Sequence, residues 1–113
     1  MAAISPTVTQ SAGQYLKVTW SSVTESDTFA VFSFSELPQD ISVHVSGTFG
    51  GATTVLKVAN NGGAGVNATD LGGVPISITS EALTSVRERP LTIQPVASGG
   101  SSQSQTVTMV VWS

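Results

Sequence analysis

Two runs of alternating apolar and polar residues, joined by a glycine-rich stretch, constrain the fold of this chain more than any other feature. Residues 41–46 alternate isoleucine or valine with serine or histidine, which is the period of two of a half-buried strand. Residues 54–59 alternate less cleanly, because both sets contain apolar side chains. Gly50 and Gly51 between the runs adopt positive φ at little steric cost and allow the chain to reverse. Residues 41–58 are therefore predicted to form a β-hairpin.

Similar runs elsewhere predict about seven strands in all. Beyond the hairpin, strands are predicted at residues 14–20, 29–34, 76–79, 91–96 and 106–112. Pro95 favours an edge position or a bulge, because proline has no N–H to donate to a ladder. Short strands separated by turn residues are typical of an antiparallel β-sandwich, either jelly-roll or immunoglobulin-like. The predicted fold class is therefore all-β.

Two stretches are predicted to lie outside the strands. Residues 21–28 are mostly polar and are predicted to form a loop. Residues 80–86 are predicted to contain the single short helical turn of the chain, because Ser80 suits an N-cap and Glu81 suits the positive end of the helix dipole.

The length of 113 residues suits one domain with one core. Residues 1–13 mix small, hydroxyl-bearing and β-branched side chains and end at a glycine, which predicts an extended N-terminal arm able to lie along a neighbour. Residues 14–113 are predicted to form a single β-sandwich domain.

The first residues lack the regions of a secretory signal, and no run approaches the ~20 apolar residues of a membrane span. Synthesis in the cytoplasm and no membrane partner are therefore expected.

Charged side chains are scarce in this sequence. They make up 10% of the chain, against roughly 25% in ordinary soluble domains, whereas 17 residues are serine and 14 are threonine. One interpretation is an exposed sandwich whose outward strand positions are filled by threonine. The other is a surface covered by copies of the chain or by another protein, since charge is depleted at interface cores. The net charge of −3 and the lack of a basic run argue against a nucleic-acid partner.

The sequence contains no recognisable catalytic, cofactor or metal site. His44 is the only histidine and stands among serines, and the chain has no G-x-S-x-G nucleophile motif. Asp70 and the asparagines at residues 60–67 fit no calcium-loop spacing. Residues 87–89, Arg-Glu-Arg, are predicted to be a solvated turn, with binding to a partner's carboxylate as the alternative. Cysteine is absent, which excludes disulfides and thiolate metal sites. We therefore predict no enzyme, no cofactor and no metal.

The sequence at residues 43–58 is V-H-V-S-G-T-F-G-G-A-T-T-V-L-K-V, and it resembles the V-x-V-x-G-T-F-G-G-A-T-V-x-L stretch of small structural proteins encoded by tailed bacteriophages. Further segments are similar to that family in order and spacing: L-K-V-T-W at residues 16–20, D-L-G-G-V-P-I-S-I-T-S at 70–80, R-P-L-T-I-Q-P-V-A-S-G-G at 89–100 and T-V-T-M-V-V at 106–111. The likeness covers nearly the whole chain. Residues 58–67 depart from the G-S-N-D-G-x-x-W segment of many relatives and lack its aspartate and tryptophan.

The resemblance implies a non-enzymatic component of a phage virion, in particular a capsid decoration or cement protein that binds the outer capsid surface and stabilises the shell. The implied partner is the major capsid protein, and the implied location is the capsid surface after synthesis in the host cytoplasm. Capsid symmetry further implies self-association as a dimer or trimer. A tail or head–tail component of the virion is one alternative, and a carbohydrate- or surface-binding β-sandwich module is another.

Four apolar residues near termini or loop tips are predicted to contact a partner. Ile4 and Val8 belong to the predicted arm, Phe49 to the glycine-rich turn, and Trp112 to the C-terminal end. For Phe49 and Trp112 the alternative is that they cover the core of their own domain.

Overall fold

Eleven β-strands make up the secondary structure of residues 2–11, 15–34 and 38–112, which are the residues described by the computed structural model. The strands are β1 (Ala2–Ile4), β2 (Thr7–Ser11), β3 (Tyr15–Thr24), β4 (Asp27–Phe29), β5 (Phe32–Ser33), β6 (Asp40–Thr48), β7 (Thr53–Ala59), β8 (Val66–Asn67), β9 (Ala82–Val86), β10 (Thr92–Ser98) and β11 (Ser104–Trp112). No helix occurs among the residues described.

Two antiparallel sheets form a β-sandwich, as the sequence predicts. The five-stranded sheet has the order β2-β3-β11-β6-β9, and the four-stranded sheet has the order β5-β10-β7-β8. In addition, β1 and β4 pair in parallel. The strand count exceeds the predicted seven because β1, β2, β8 and β9 were not predicted as strands and the predicted strand at residues 29–34 is divided in two. The predicted strand at 76–79 is present only as an isolated bridge at Ile78.

The core lies between the inward faces of the two sheets. Val18, Met109 and Val43 stand side by side on β3, β11 and β6, and none is more than 1% exposed. Leu56 and Ile93 of the four-stranded sheet belong to the same buried cluster. Each such side chain contributes roughly 1.5–3 kcal/mol when fully buried.

The predicted hairpin at residues 41–58 is wrong, because β6 and β7 lie in different sheets. Both strands turn an alternating buried face toward the core, β6 from one side and β7 from the other. Between them the chain crosses the end of the sandwich, with Phe49 buried beneath it. Gly47, Gly50 and Gly51 have φ values of 106°, 58° and 88°, a region that glycine adopts readily.

The predicted helical turn at residues 80–86 is also wrong. Residues 82–86 form β9, which pairs with β6 from Val45 opposite Ala82 to Ile41 opposite Val86. The alternation of this short segment places Val86 in the core and leaves Leu83 exposed. The structure of residues 82–86 is therefore determined by pairing with the free edge of β6 and not by the local helix-cap signal.

The predicted loop at residues 21–28 is largely strand. A β-bulge opposite Thr106 carries β3 onward to Thr24, with Ser22 at a φ of 52° and its N–H donating to the Thr106 hydroxyl at 3.2 Å. The extra residue of a bulge lets a strand bend without ending. Only residues 25–26 form the turn that leads into β4.

The predicted strand at residues 29–34 is divided into β4 and β5 around Ala30. The Ala30 N–H donates to the Ile4 carbonyl at 3.0 Å, and the Ala30 carbonyl accepts from Nε1 of Trp20 at 3.0 Å. The Trp20 ring meets Phe29 edge to face, with centroids 6.3 Å apart. The backbone N–H of Ala30 thus bonds to β1 and its carbonyl bonds to a buried indole. Neither group is available to continue a strand ladder from β4 to β5.

Pro95 lies inside β10, opposite Leu56 of β7. The Leu56 carbonyl accepts from the Ala68 N–H at 2.7 Å on the far side of β7, so the backbone groups of Leu56 point away from β10. By the alternation of an antiparallel ladder, the Pro95 nitrogen points away from β7 as well. On that side β5 pairs only with Thr92 and Ile93. β10 therefore has a local edge at Pro95, where proline is tolerated.

Residues 2–11, which belong to the predicted arm, are extended and pair within the chain. β1 pairs with β4, and β2 follows β3 without interruption from Thr7 opposite Thr19 to Ser11 opposite Tyr15. The predicted boundary at residue 13 lies outside the described residues.

Candidate interaction surface

The outward side of the five-stranded sheet is rich in hydroxyl groups, and we call it the hydroxyl face. Its position follows from the strand registers, which align the outward residues of all five strands. Serine and threonine are common among these residues, which include Thr7, Thr9, Thr19, Thr24, Ser42, Ser46, Thr48, Ser85, Ser104, Thr106 and Thr108. Threonine favours strands. The same outward side also carries Lys17 of β3 and Asp40 and His44 of β6.

An aromatic pair lies at one end of the hydroxyl face. Trp112 of β11 stands opposite Tyr15 of β3, with ring centroids 5.1 Å apart and planes inclined by 51°. The Trp112 side chain is 44% exposed, whereas Tyr15 is half-buried. An amphipathic ring held in place by a neighbour is a favourable contact group for a protein or sugar surface.

The side chains of His44 and Glu81 are in contact toward the β9 side of the hydroxyl face. Nε2 of His44 is 2.9 Å from Oε2 of Glu81, and both side chains are largely exposed. Leu83 stands directly opposite His44 on β9 and is 70% exposed. Even a charged pair at such an exposed place contributes at most about 1 kcal/mol, so this contact adds polarity rather than stability.

The four predicted contact residues do not form one cluster. Ile4 is half-buried and packs against the core, and Phe49 is 8% exposed and lies within it. Val8 is 48% exposed on β2. Trp112 belongs to the same sheet, but β3 separates its strand from β2, and the registers place Val8 on the inward side and Trp112 on the outward side.

Tyr15 and Leu83 are surface groups that the sequence did not predict. Tyr15 lies in the predicted strand at residues 14–20, and its contact with Trp112 joins residues that are far apart in sequence. The exposure of Leu83 was not predicted, because residues 80–86 were expected to form a helical turn. The alternation of apolar residues over 82–86 is the signal that identifies it.

A groove of about 490 Å³ lies at the end of the four-stranded sheet, between Asn60, Val66 and the charged residues 88–89. Two of its polar side chains, Asn60 and Glu88, bind within the chain. Asn60 Oδ1 accepts from the Leu91 N–H at 2.9 Å. The Glu88 carboxylate accepts from the Thr69 N–H at 2.8 Å and from the Thr69 hydroxyl at 2.5 Å. Burial favours the neutral acid, but these hydrogen bonds outweigh burial and hold the pKa of Glu88 below its usual value.

The other acidic side chains near loops also serve the local structure. Backbone N–H groups, first its own and then those of Gln103 and Ser102, hold the pKa of Glu25 below its usual value, against a smaller effect of desolvation. Oδ1 of Asp70 accepts from the Gly72 and Val74 N–H groups of its own turn. Within residues 2–11, 15–34 and 38–112, no three His, Cys, Asp or Glu side chains form a group that could hold a metal ion.

Comparison with known proteins identifies a shared fold. No protein-family model matches the chain, and no curated protein matches it. Among solved structures, the SPBc2 prophage-derived protein YomS matches with a TM-score of 0.58 and 9% sequence identity, over 93% of this chain and 100% of that chain. At this identity the similarity shows that the two proteins share a fold.

Two further solved structures match with lower scores. An RmlC-like cupin protein from Desulfovibrio desulfuricans has a TM-score of 0.43 and 8% identity, over 96% of this chain and 82% of that chain. A family 11 carbohydrate-binding module of a Clostridium thermocellum cellulase has a TM-score of 0.38 and 10% identity, over 96% and 81%. Finally, the described residues contain no helix of the length and apolar character that crossing a membrane requires.

Proposed function

We propose that this chain is a non-enzymatic structural protein of a tailed-phage virion, a decoration protein that binds the outer surface of the capsid and stabilises the shell. The observation that carries the proposal is the hydroxyl face, a broad sheet surface rich in serine and threonine with an exposed tryptophan at one end. The sequence resemblance to small phage structural proteins and the fold shared with YomS support a phage origin.

The physical argument concerns what such a face can bind. Protein interfaces are depleted of charge and enriched in tryptophan and tyrosine at their centres, and a few such residues supply most of the binding free energy. Trp112 and Tyr15 meet this description. Asp40, opposite Trp112, and Lys17, next to Tyr15 on the outward side of β3, place charge beside the pair, whereas the serine and threonine hydroxyls farther along the face can form hydrogen bonds without burying charge. A protein that binds the assembled shell in preference to its free subunits stabilises the shell by linkage.

Capsid binding is the experiment that tests this function. Purified protein is mixed with capsids that lack it, and co-sedimentation and the disruption temperature of the shell are measured. Saturable binding and a higher disruption temperature are expected. If the folded protein fails to bind the capsids of its own phage, the decoration role is wrong.

Matched substitutions test the hydroxyl face itself. Thr108→Arg places a charge in the middle of this face, and Thr53→Arg places the same charge at a half-buried outward position of the four-stranded sheet. We expect Thr108→Arg to weaken capsid binding by at least about tenfold, on the order of 1.4 kcal/mol, and Thr53→Arg to leave it near the wild-type value. Equal effects of the two changes would exclude this face as the contact.

The Tyr15–Trp112 pair favours a carbohydrate-binding module as a second candidate, because exposed rings stack on sugars. Isothermal titration with soluble polysaccharides distinguishes it, since sugar binding without capsid binding would replace the first proposal. A tail or head–tail component is the remaining virion role. Immunogold labelling of intact virions separates it from capsid decoration.

A further inference from the structure

One edge of the five-stranded sheet is an unprotected strand. β2 is the outermost strand on this side and pairs with β3 over all five of its residues without a bulge. In an antiparallel ladder, alternate residues of an edge strand point their N–H and C=O groups away from the sheet. Such an edge can pair with a further strand.

β2 has none of the usual features that prevent edge pairing. Residues 2–11 contain no charged side chain, and Pro6 precedes the strand rather than interrupting it. Residues 7–10 are all exposed. The opposite edge of the sheet differs, because β9 is flanked by Glu81 and Arg87, and charge at an edge discourages pairing.

The exposure of Val8 also points to a missing neighbour. Val8, Val18 and Met109 are aligned across β2, β3 and β11 on the core side of the sheet. Val18 and Met109 are 0% and 1% exposed, whereas Val8 is 48% exposed. Val8 is open to solvent because no described strand lies beyond it, and a sixth strand would extend the sandwich over this side chain.

We infer that the missing neighbour is a second copy of this chain, with β2 paired antiparallel to β2 across a two-fold axis at Thr9. Each copy carries a net charge of −3, so self-association is least opposed through an uncharged surface. In this register Thr9 lies opposite Thr9, which is a favourable cross-strand pair. A shift toward the N-terminus would bring in Pro6, which has no N–H. The product is one continuous sheet with five strands from each copy.

The first measurement is the mass of the free protein in solution, by sedimentation equilibrium. We expect a species of twice the 11.5 kDa chain mass. A monomer at all concentrations overturns the inference. A trimer overturns it as well, because two-fold pairing closes at two copies.

A single cysteine locates the axis. Residues directly opposite in an antiparallel pair have Cβ atoms about 4.5–5.5 Å apart, close enough for a disulfide after slight adjustment. The chain contains no cysteine, so Thr9→Cys should form a covalent dimer on mild oxidation. Leu83→Cys, exposed on the opposite edge strand, is the matched control and should remain largely monomeric on a denaturing gel. Equal cross-linking of the two variants overturns the inferred axis.

Charge reversal of the edge provides an independent readout. Thr9→Lys brings two ammonium groups together at the axis, and we expect the dimer Kd to rise by at least about tenfold. Leu83→Lys adds the same charge at the opposite edge and should leave the Kd unchanged, with circular dichroism confirming that both variants fold. An unchanged Kd for Thr9→Lys overturns the inference. None of these measurements involves capsids, so this inference and the proposed function fail separately.

Discussion

Thr54 donates its hydroxyl hydrogen to Oε1 of Gln105 across the core at 2.6 Å, and Gln105 donates in turn to Oε1 of Gln103 at 3.1 Å. All three side chains are buried, with Thr54 and Gln105 at 0% exposure. Buried polar groups are costly unless they are hydrogen-bonded. Within the part of the chain that the structure describes, every buried side-chain nitrogen and oxygen has a partner.

Thr54→Val removes the hydroxyl from this network with little change of shape. Because Oε1 of Gln105 then loses its donor in a buried place, we expect the free energy of unfolding to fall by about 1–3 kcal/mol. Urea denaturation measures it. Thr53→Val, at the half-buried outward position next along the strand, is the control and should cost little. Equal losses for the two variants would contradict the role of the buried bond.

Glu88 gives the chain a pH dependence with a definite sign. Its pKa is lower in the folded chain than its ordinary value of 4.5, so the folded state binds the proton less tightly than the unfolded state. The resulting stabilisation is fully present above the ordinary pKa and is lost as the pH falls through the folded pKa. The stability difference between wild type and Glu88→Gln should therefore shrink on acidification.

Carboxyl NMR titration tests the physical cause of that shift. The Thr69 hydroxyl and N–H both donate to the Glu88 carboxylate. Thr69→Val removes the hydroxyl donor and keeps the backbone one, so we expect the pKa of Glu88 to rise toward its ordinary value. No change in that pKa would assign the shift to other groups.

At the scale of elements, the crossing between β6 and β7 depends on the backbone of its glycines. Gly50 has a φ of 58°, and a Cβ at this position would lie 1.9 Å from the Ser101 carbonyl oxygen. Gly62, in a loop, has a φ of 78° with nothing within 4 Å of a Cβ. Gly50→Ala combines backbone strain with a clash, whereas Gly62→Ala has the strain alone.

We expect Gly50→Ala to lower the free energy of unfolding by at least about 1 kcal/mol more than Gly62→Ala does, given the range of backbone effects at positive φ. Thermal or chemical denaturation of the two variants measures this difference. Equal destabilisation would mean that the crossing shifts to accommodate the methyl group.

Prediction from sequence succeeded for elements that their own residues determine. It failed for elements whose structure depends on residues far away in the sequence. The inward faces of β3, β6 and β11 follow from local alternation. The pairing partners of β6 do not, because the same alternation suits a hairpin and a crossing between sheets. Ser80 and Glu81 likewise form a local cap signal for a helical turn, which the pairing of residues 82–86 with β6 overrides.

The candidate surface was predictable in part. Exposure of Trp112 was one of two alternatives that the sequence left open, and the structure places this side chain at 44% exposure. The hydroxyl face as a whole follows from composition only as a tendency, because strand order determines which threonines are adjacent. Thr7, Thr19 and Thr108 are neighbours through long-range registers that no local pattern contains.

At the scale of the whole molecule, both sheets share one core, and a buried hydrogen bond joins them. Small domains of this kind usually unfold in a single cooperative step. In a Trp112→Phe variant the remaining tryptophan is Trp20, which is 1% exposed and reports on the core. We expect its fluorescence and the far-ultraviolet circular dichroism to show coincident unfolding transitions. Separate transitions would mean that one sheet persists without the other.

The hydrogen bond between Thr54 and Gln105 also has a consequence for the alignment of the two sheets. Apolar faces alone would tolerate a slide of one sheet over the other by one pleat repeat, about 7 Å, since methyl groups would again meet methyl groups. In the slid arrangement the buried hydroxyl and amide would face hydrocarbon, at a cost of about 1–3 kcal/mol for each unpaired group. This single buried hydrogen bond therefore selects one alignment of the two sheets among those that hydrophobic packing alone would allow.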